Sequence, residues 1–450
     1  MGHAPLAGTT HPRWLLAGGV SLAMAAVPLL AAVPAGATTP TLPTAPAGLF
    51  GASDPTYDGV FRQSLSLLAY QAAGQTPPAS AVAWLVAQQC TNGGFSSYRA
   101  DTSKPCAPYD AATFSGGEDT NATGLAIAAL KSVGKTSEQT RATTWLLSVK
   151  DKDGGWGFTP GSGSGSDANS TAIVITGLAS VGGEAAAVAR GQGFLKGLQI
   201  GCAGVATGTD GALAYQDFGN GLVRNDKATA QAVLGMAGAG LPVTATTLGT
   251  TTPRLTCPAP VGADTVSPAD AGAGYLMREL DAFGGAIPQG DFTTGEGKKG
   301  TVNLGDTAWA AMSLAATGNG RSQVAAALTI LNHAITPAAP KVAGAAAAST
   351  AATDDPGQLA LTALAGSAGG EPTSSIKTLV VRIGATERGA VVTPTKAPTP
   401  TPTSSAPAGN AGTLPDTGGS PLPGVLGVAG ALLLAAGVGL RLTGRRGRNA

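Results

Sequence analysis

Residues Trp145–Gly182, WLLSVKDKDGGWGFTPGSGSGSDANSTAIVITGLASVG, contain the pattern from which the fold can be predicted. An apolar segment that begins at Trp145 ends in a Gly-rich turn, and an Ala/Ile/Val-rich segment that follows Asp167 ends at Gly182. Asp is a preferred residue at the N-cap of a helix, and Gly is preferred just past the C-terminus. The stretch therefore predicts a hairpin of two helices.

The second helix of this hairpin recurs along the chain as segments rich in Ala and Leu that end on Gly. The copies are Gln63–Gly74, Thr123–Gly134, Thr171–Gly182, Thr229–Gly240, Thr307–Gly318 and a looser one at Gly357–Gly369. Four residues before each leading Thr stand Asp119, Asp167, Asn225 and Asn303. Because Asp and Asn accept hydrogen bonds from the free amides of a first turn, these four residues are expected to be N-caps.

The first helix of the hairpin recurs as well, and its copies align on the aromatic residues Trp84, Trp145, Phe194 and Tyr275. Arg321–Ile335 is a fifth copy without the aromatic residue. Ser374–Ile383 is either a sixth helix or, because it contains β-branched residues, a strand or loop. Two helix types that alternate about six times predict an all-α domain at residues 55–385, either a closed ring or an open solenoid.

The aromatic-aliphatic-x3-Gln and Gly-Gly-aromatic pattern, clearest at Trp84, Gln89 and Gly93-Gly94, resembles the repeats of the terpene cyclase and protein prenyltransferase superfamily. The resemblance covers about residues 55–370 and implies an (α/α)6 toroid built from helical hairpins. It places the Trp-bearing helices in an outer ring and the Thr-to-Gly helices in an inner ring. Polar residues at one mouth of a central cavity would be Gln63, Asp119, Asp167, Asn225, Asp226, Asn303 and Asp306.

The residues that the known reactions of this superfamily require are absent from this sequence. The D-x-D-D acid motif of squalene-type cyclases is absent, and the chain has only 4% aromatic residues to line a cavity. His333 is the one His after residue 37, and on a predicted outer helix it is expected to be a surface or rim residue rather than a zinc ligand. Asp151–Gly154 resembles half a calcium loop but is expected to be a solvated turn. No catalytic residue, metal ligand or cofactor is predicted.

Both ends of the chain carry address signals. Residues 1–37, an apolar run after Arg13 that ends in Ala-Gly-Ala, predict a signal peptide, followed by a linker at residues 38–54. Residues 386–413 form a Pro/Thr-rich linker, residues 421–440 an apolar membrane span, and residues 441–450 a basic cytoplasmic tail. Between linker and span lies the pentapeptide Leu414, Pro415, Asp416, Thr417 and Gly418.

This order of pentapeptide, span and basic tail resembles the cell-wall sorting signal of Gram-positive bacteria. It implies a secreted chain that sortase cleaves after Thr417 and links covalently to peptidoglycan. Four cysteines fit an oxidising compartment, and of the three possible pairings Cys90–Cys106 with Cys202–Cys257 is preferred. A net charge of +1 excludes the strong basic surplus of a nucleic-acid binder.

These features predict a cell-wall surface protein whose toroid is a non-catalytic module that binds an unknown small or surface ligand. Two alternatives remain open. The first is a glycan- or peptidoglycan-active enzyme that uses the carboxylates of the rim. The second is a degenerate terpenoid enzyme.

Overall fold

Six helical hairpins follow one another along the chain. The computed structural model describes residues 47–113, 116–258, 266–290, 300–336 and 354–389. The helices are α1 (Gly59–Ala72), α2 (Ala79–Ala87), α3 (Thr120–Ser132), α4 (Thr136–Ser148), α5 (Ala168–Val181), α6 (Ala185–Gly197), α7 (Asp226–Met236), α8 (Pro268–Ala282), α9 (Leu304–Thr317), α10 (Arg321–Ala334), α11 (Pro356–Ala368) and α12 (Thr373–Ala385). Within these ranges no β-strand is formed beyond isolated bridges.

The odd-numbered helices form a closed inner ring. Each packs against the next odd-numbered helix, and α11 packs against α1, so no end of the series is left open. Each even-numbered helix packs on the outside of the helix that precedes it. The predicted (α/α)6 toroid is therefore confirmed and the open solenoid is not. The segment Ser374–Ile383, for which the sequence left helix, strand and loop open, lies within helix α12.

Small residues bring the inner helices into close contact. A Cβ atom on Gly177 of α5 would lie 2.1 Å from the carbonyl oxygen of Gly124 on α3. Only Gly permits such an approach of two backbones. The Ala- and Gly-rich composition of the repeat thus has a packing cause, because helices that contact neighbours on every side are buried all round.

The bore of the ring is filled by side chains. Thr307 faces the connection that leads into α9, so Trp309, two residues further along the helix, faces the axis, and only 3% of it is exposed. The equivalent residues of the six inner helices are Leu65, Leu125, Ile173, Gln231, Trp309 and Leu361, and none is more than 8% exposed. Side chains that line a cavity, even an enclosed one, keep exposed surface that a water molecule can touch. The open central cavity implied by the family resemblance is therefore not found among the described residues.

The ring domain begins earlier than residue 55. Leu49 and Phe50, placed by sequence in a linker, are fully buried. The amide of Gly48 donates to the carbonyl of Arg388, and the amide of Arg388 donates to the carbonyl of Leu49. The two ends of the domain are hydrogen-bonded to each other, which places residues 47–54 and 386–388 inside the fold rather than in linkers.

Both preferred disulfides are present. Cys90 pairs with Cys106, and Cys202 pairs with Cys257, with Cα–Cα separations of 5.7 and 5.5 Å. The predicted signal peptide, sorting pentapeptide, apolar span and basic tail lie outside the described residues. Among the helices that are described, none has the length and apolar character needed to cross a membrane.

Candidate functional site

The inner helices α1, α3, α5 and α7 begin on one face of the ring, because the first turns of α1, α3 and α5 are each hydrogen-bonded to the connection that leads into the next inner helix. The amide of Thr120, at the start of α3, donates to the carbonyl of Phe158 in the connection that leads into α5. In the same way, Val60 of α1 donates to Ser97, and Ala168 of α5 donates to Tyr215. We call this surface the entry face: the first turns of the six inner helices and the described parts of the connections that lead into them.

The recurring spacing of Asp or Asn and Thr in the repeat is explained by a clasp that is found at four of the six hairpins. In α5, the amide of Trp156, which follows the Gly pair, donates to Thr171 Oγ1 at 2.9 Å, and the amide of Asp167 donates back to the carbonyl of Trp156. The same amide-to-hydroxyl bond joins Phe95 to Thr123, Leu213 to Thr229 and Ile287 to Thr307, at 2.9–3.0 Å. The motif therefore fixes each connection to its inner helix.

Gln63 takes the place of Thr in the first hairpin. Its Oε1 accepts from the amide of Phe50 at 3.0 Å, and its Nε2 donates to the carbonyls of Gly48 and Ala81. Every polar atom of this buried side chain is thus engaged inside the fold. Gln63 is a structural residue, although the sequence placed it among the candidates for the rim.

The four predicted N-caps are confirmed, and their side chains are occupied. Asn225 and Asn303 accept from the amides of Ala228 and Asp306 at 2.8 and 2.9 Å. Asp119 Oδ1 accepts from Asn121 N and Ala122 N, while its Oδ2 accepts from Ser97 Oγ.

Asp167 likewise accepts from the amide and the hydroxyl of Ser170, both at 2.8 Å. Burial raises the pKa of Asp119 and of Asp167 to about 6, against the hydrogen bonds to each carboxylate, which lower it. Because every carboxylate oxygen has a partner within the fold, neither aspartate is presented to a substrate.

Asp226 belongs to a buried group of ionisable side chains between α7 and α8. Tyr275 donates its hydroxyl to Asp226 Oδ1 at 2.5 Å, and Arg224 donates Nη1 to both the Tyr275 hydroxyl and Glu279 Oε1 at 3.1 Å. Asp226 Oδ2 and Glu279 Oε2 are buried and have no hydrogen-bond partner in the described chain. Burial raises the pKa of both carboxyl groups.

Glu279 was not among the residues predicted from the sequence, and Tyr275 was predicted only as the aromatic residue of an outer helix. The available signal was local. Glu279 lies four residues after Tyr275, so both occupy one face of α8, and that face is the one that packs on the ring. An acidic residue on the buried face of an outer helix requires a partner.

Asp306 is the one predicted rim residue whose carboxylate lacks a hydrogen-bond partner among the described residues. It is 6% exposed, and burial raises its pKa to about 6, while the nearby Lys227 ammonium opposes that shift. Asn121 Oδ1 on α3 is likewise buried without a partner in the described part of the chain. Of the two, only Asn121 Oδ1 is a buried acceptor atom that the described chain leaves without a partner.

The centre of this face is set by one position of the repeat, two residues before each clasp residue. We call its members the axial circle; they are Phe61, Asn121, Asn169, Lys227, Gly305 and Gly357. Below it, Asn169 Nδ2 donates to Gln231 Oε1 at 2.8 Å, and Gln231 is 7% exposed. Three members of the axial circle, Asn121, Asn169 and Lys227, are polar.

The Asp151–Gly154 segment is a turn, as expected. The hydroxyl of Ser166 donates to Asp151 Oδ2 and Asp153 Oδ1 at 3.0 and 2.9 Å, so both carboxylates have a partner in the fold. No group of three or more His, Cys, Asp or Glu side chains within the described ranges is placed to hold a metal ion.

Trp156, buried beside this turn, donates Nε1 to the carbonyl of Leu146 and so closes the end of α4. Phe158, two residues further on, is 45% exposed.

These features define the class of the protein as an (α/α)6 toroid with a filled bore. Most of the polar residues of its repeat form hydrogen bonds within the fold. Comparison with solved structures finds a protein from Actinoplanes with 17% identity and a TM-score of 0.38, covering 65% of this chain and 75% of that one. The type II terpene cyclase MstE from Scytonema matches with 13% identity and a TM-score of 0.36, covering 61% and 70%.

The ent-copalyl diphosphate synthase from Streptomyces platensis matches with 18% identity and a TM-score of 0.24, covering 50% and 43%. No family model matches the chain, and no curated protein matches it.

Proposed function

We propose that this protein is a cell-wall surface protein whose toroid is a non-catalytic binding module. The signal at residues 1–37 exports the chain, sortase cleaves after Thr417, and the Pro/Thr-rich linker holds the ring away from its peptidoglycan anchor. The ring then presents its outer surfaces, rather than an internal chamber, to a ligand.

The filled bore is the observation that carries the proposal. A terpenoid substrate needs an apolar chamber that excludes water around its reacting double bonds. Here the positions that face the axis are occupied by side chains such as Ile173, Gln231 and Trp309, all at most 7% exposed. Asp119 and Asp167, at the starts of α3 and α5, are N-caps instead of free acids.

A glycan-cleaving enzyme remains the second candidate because of Asp226 and Glu279. Tyr275 donates to Asp226, and Arg224 joins Tyr275 to Glu279, so the two carboxyl groups belong to one hydrogen-bonded group, and a glycosidase needs such a pair of carboxyl groups. Their burial favours a structural role. Replacing Glu279 with Gln separates the two functions, because loss of glycan hydrolysis with an intact fold would support the enzyme.

The catalytic alternative is tested with the substrate of a solved terpene cyclase complex, geranylgeranyl dihydroxybenzoate. The full chain, purified with both disulfides formed, is incubated with this compound beside MstE as a positive control, and products are separated by mass spectrometry. We expect no cyclised product from this chain. A cyclised product would contradict the interpretation as a non-catalytic binding module and would support a terpenoid enzyme.

The cell-wall address is tested by changing the residue at which sortase acts. In a Gram-positive host that contains sortase, the unaltered chain is expected in the wall fraction released by a muramidase. Thr417→Ala is expected to move it to the membrane and medium fractions, while Thr413→Ala, four residues earlier, leaves it in the wall. Equal distribution of all three chains contradicts anchoring at this pentapeptide.

A further inference from the structure

We infer that residues 390–394, which follow the last described residue of the ring, dock in an apolar groove on helix α2. This groove of about 350 Å³, which we call the α2 groove, is lined by Ala47, Ser80, Ala83, Trp84, Ala87 and Thr102. The docking requires neither wall anchoring nor a ligand. Only its consequence for the orientation of the ring rests on the proposed function.

The surface of α2 is more apolar than that of the other outer helices. Among the six outer helices, α2, with the sequence ASAVAWLVA, is the one without a charged residue. An outer helix of a soluble domain normally turns a charged or polar face to water. The exposed residues of α2 are instead Ala79, Ser80, Ala83 and Ala87. A face of this composition is typical of a helix that another segment covers.

One hydrogen-bond donor among the residues that line the α2 groove has no partner. Trp84 is 3% exposed, and its indole Nε1 is buried without an acceptor in the described part of the chain. The indole of Trp156, by contrast, donates to the carbonyl of Leu146. A buried donor without an acceptor costs free energy, so the segment that completes this groove is expected to carry acceptors.

The described chain ends at this groove. The hydroxyl of Ser80 donates to the carboxylate of Glu387. A Cβ atom on Gly389, the last described residue, would lie 3.0 Å from the Cβ of Ala47. Ser80 and Ala47 both line the α2 groove, so the chain that continues after Gly389 starts beside it.

The residues that follow Gly389 have the composition that such a groove requires. Val391 and Val392 are the only large hydrophobic residues between Gly389 and residue 413, and no charged residue occurs before Lys396. Each residue of the segment carries a backbone carbonyl that can accept a hydrogen bond. Pro394 has no N–H that would be left unpaired on an apolar surface. The segment is therefore apolar and offers more acceptors than donors.

The length of the segment matches that of the groove. Between Ser80 and Gln88 the helix rises about 12 Å, at about 1.5 Å per residue. A polyproline-like chain advances about 3.1 Å per residue, so about four residues after Gly389 reach the end of α2. Thr393, which precedes a proline, favours such an extended conformation. Residues 391–394 can therefore cover the groove from one end to the other.

Docking decides where the wall linker leaves the ring. At the end of α2, Arg99 donates to the carbonyls of Ala87 and Thr102. This end lies at the entry face, because the amide of Val60 at the start of α1 donates to the carbonyl of Ser97 in the same connection. A segment that follows α2 brings the linker to the entry face. With the anchor on that side, the ring presents its opposite face, on which the hairpins turn.

The first test observes the groove while only the segment is changed, so the fold of the ring is not at risk. In the full chain with both disulfides formed, Val391→Ser together with Val392→Ser is expected to shift the NMR signal of the Trp84 indole N–H, which is assigned by its loss in Trp84→Phe. The matched control, Pro400→Ser together with Pro402→Ser, lies further along the linker and is expected to leave that signal in place.

The second test observes the segment while the groove is blocked. Thermolysin cleaves before accessible Val residues, and cleavage of a docked segment follows the fraction of molecules in which it is undocked. Ala83→Arg places a long charged side chain in the groove and is expected to speed cleavage before Val391 by about tenfold or more. Ala189→Arg, at an exposed Ala of the outer helix α6, is the matched control and is expected to leave the rate within about twofold.

Three results would overturn the inference. The first is a Trp84 signal that the two serine substitutions at Val391 and Val392 do not move. The second is cleavage before Val391 that is as fast in the parent as in Ala83→Arg. The third is protection that increases with protein concentration, which assigns the groove to a second copy of the chain. None of these results touches the wall-sorting or cyclisation assays, so failure of the docking is distinguishable from failure of the proposed function.

Discussion

The clasp between each connection and its inner helix can be tested by replacing Thr171 with Val. The substitution keeps the shape of the side chain but removes the hydroxyl that accepts from the amide of Trp156 at 2.9 Å. Trp156 and Thr171 are both fully buried, so water cannot replace the lost acceptor. An amide left unpaired in this way costs about 1–3 kcal/mol of unfolding free energy.

The assay is urea unfolding followed by tryptophan fluorescence, in which Trp156 reports from beside the clasp. A loss of this size is expected to lower the urea midpoint by about 0.5–1 M with an unchanged slope. Thr171→Ser retains the acceptor and loses one buried methyl group, so we expect a cost of only about 1 kcal/mol. The matched control is Thr144→Val, whose exposed hydroxyl bonds only to the carbonyl of Thr140 in the same helix.

Thr144→Val is expected to change stability by no more than about 0.5 kcal/mol, as surface substitutions usually do. If Thr171→Val proves no more harmful than Thr144→Val, the hydroxyl does not hold the connection. The recurring Asp/Asn-x-x-x-Thr spacing would then need a functional explanation instead of a structural one.

Three further predictions concern stability. Asp306→Asn removes a carboxyl group whose pKa of about 6 in the folded protein lies above its unfolded value. The stability that the protonated acid contributes is present below about pH 4 and is lost as the pH rises through 6. The melting temperature of the variant should therefore exceed that of the parent at about pH 8 and differ little from it at about pH 4. Opening Cys202–Cys257, which closes 55 residues, should cost about 4 kcal/mol, and opening Cys90–Cys106, which closes 16, about 3, in urea unfolding of the Cys-to-Ser pairs; a reversed order contradicts the loop-closure account. Gly177→Ala places a methyl group 2.1 Å from the Gly124 carbonyl and should cost about 1–3 kcal/mol, whereas Gly197→Ala, with open space, should be neutral or stabilising; equal effects refute the close approach of α3 and α5.

The sequence by itself predicted the repeated helical hairpins of this protein, whereas the closed toroid was implied by the family resemblance. Helix caps, Gly ends and the alternation of two helix types are local signals, because hydrogen bonds within one turn dictate them. They predicted five of the six hairpins with both helices and the N-caps at Asp119, Asp167, Asn225 and Asn303. The pairing of the cysteines was only preferred among three possibilities. The last helix, Thr373–Ala385, stayed open because its β-branched residues weaken the local signal and packing against α11 decides its conformation.

Only the tertiary structure decided what the polar repeat positions do. Gln63 and Thr171 occupy the same repeat position, and in the sequence both look equally available for a ligand. In the structure, each side chain accepts a hydrogen bond from a buried backbone amide of a connection. Asp306 resembles the capping aspartates and differs from them in having no hydrogen-bond partner within the described chain. Whether a polar group is satisfied depends on atoms that lie far away along the chain, so no local pattern can reveal it, and the filled bore follows from the same long-range packing.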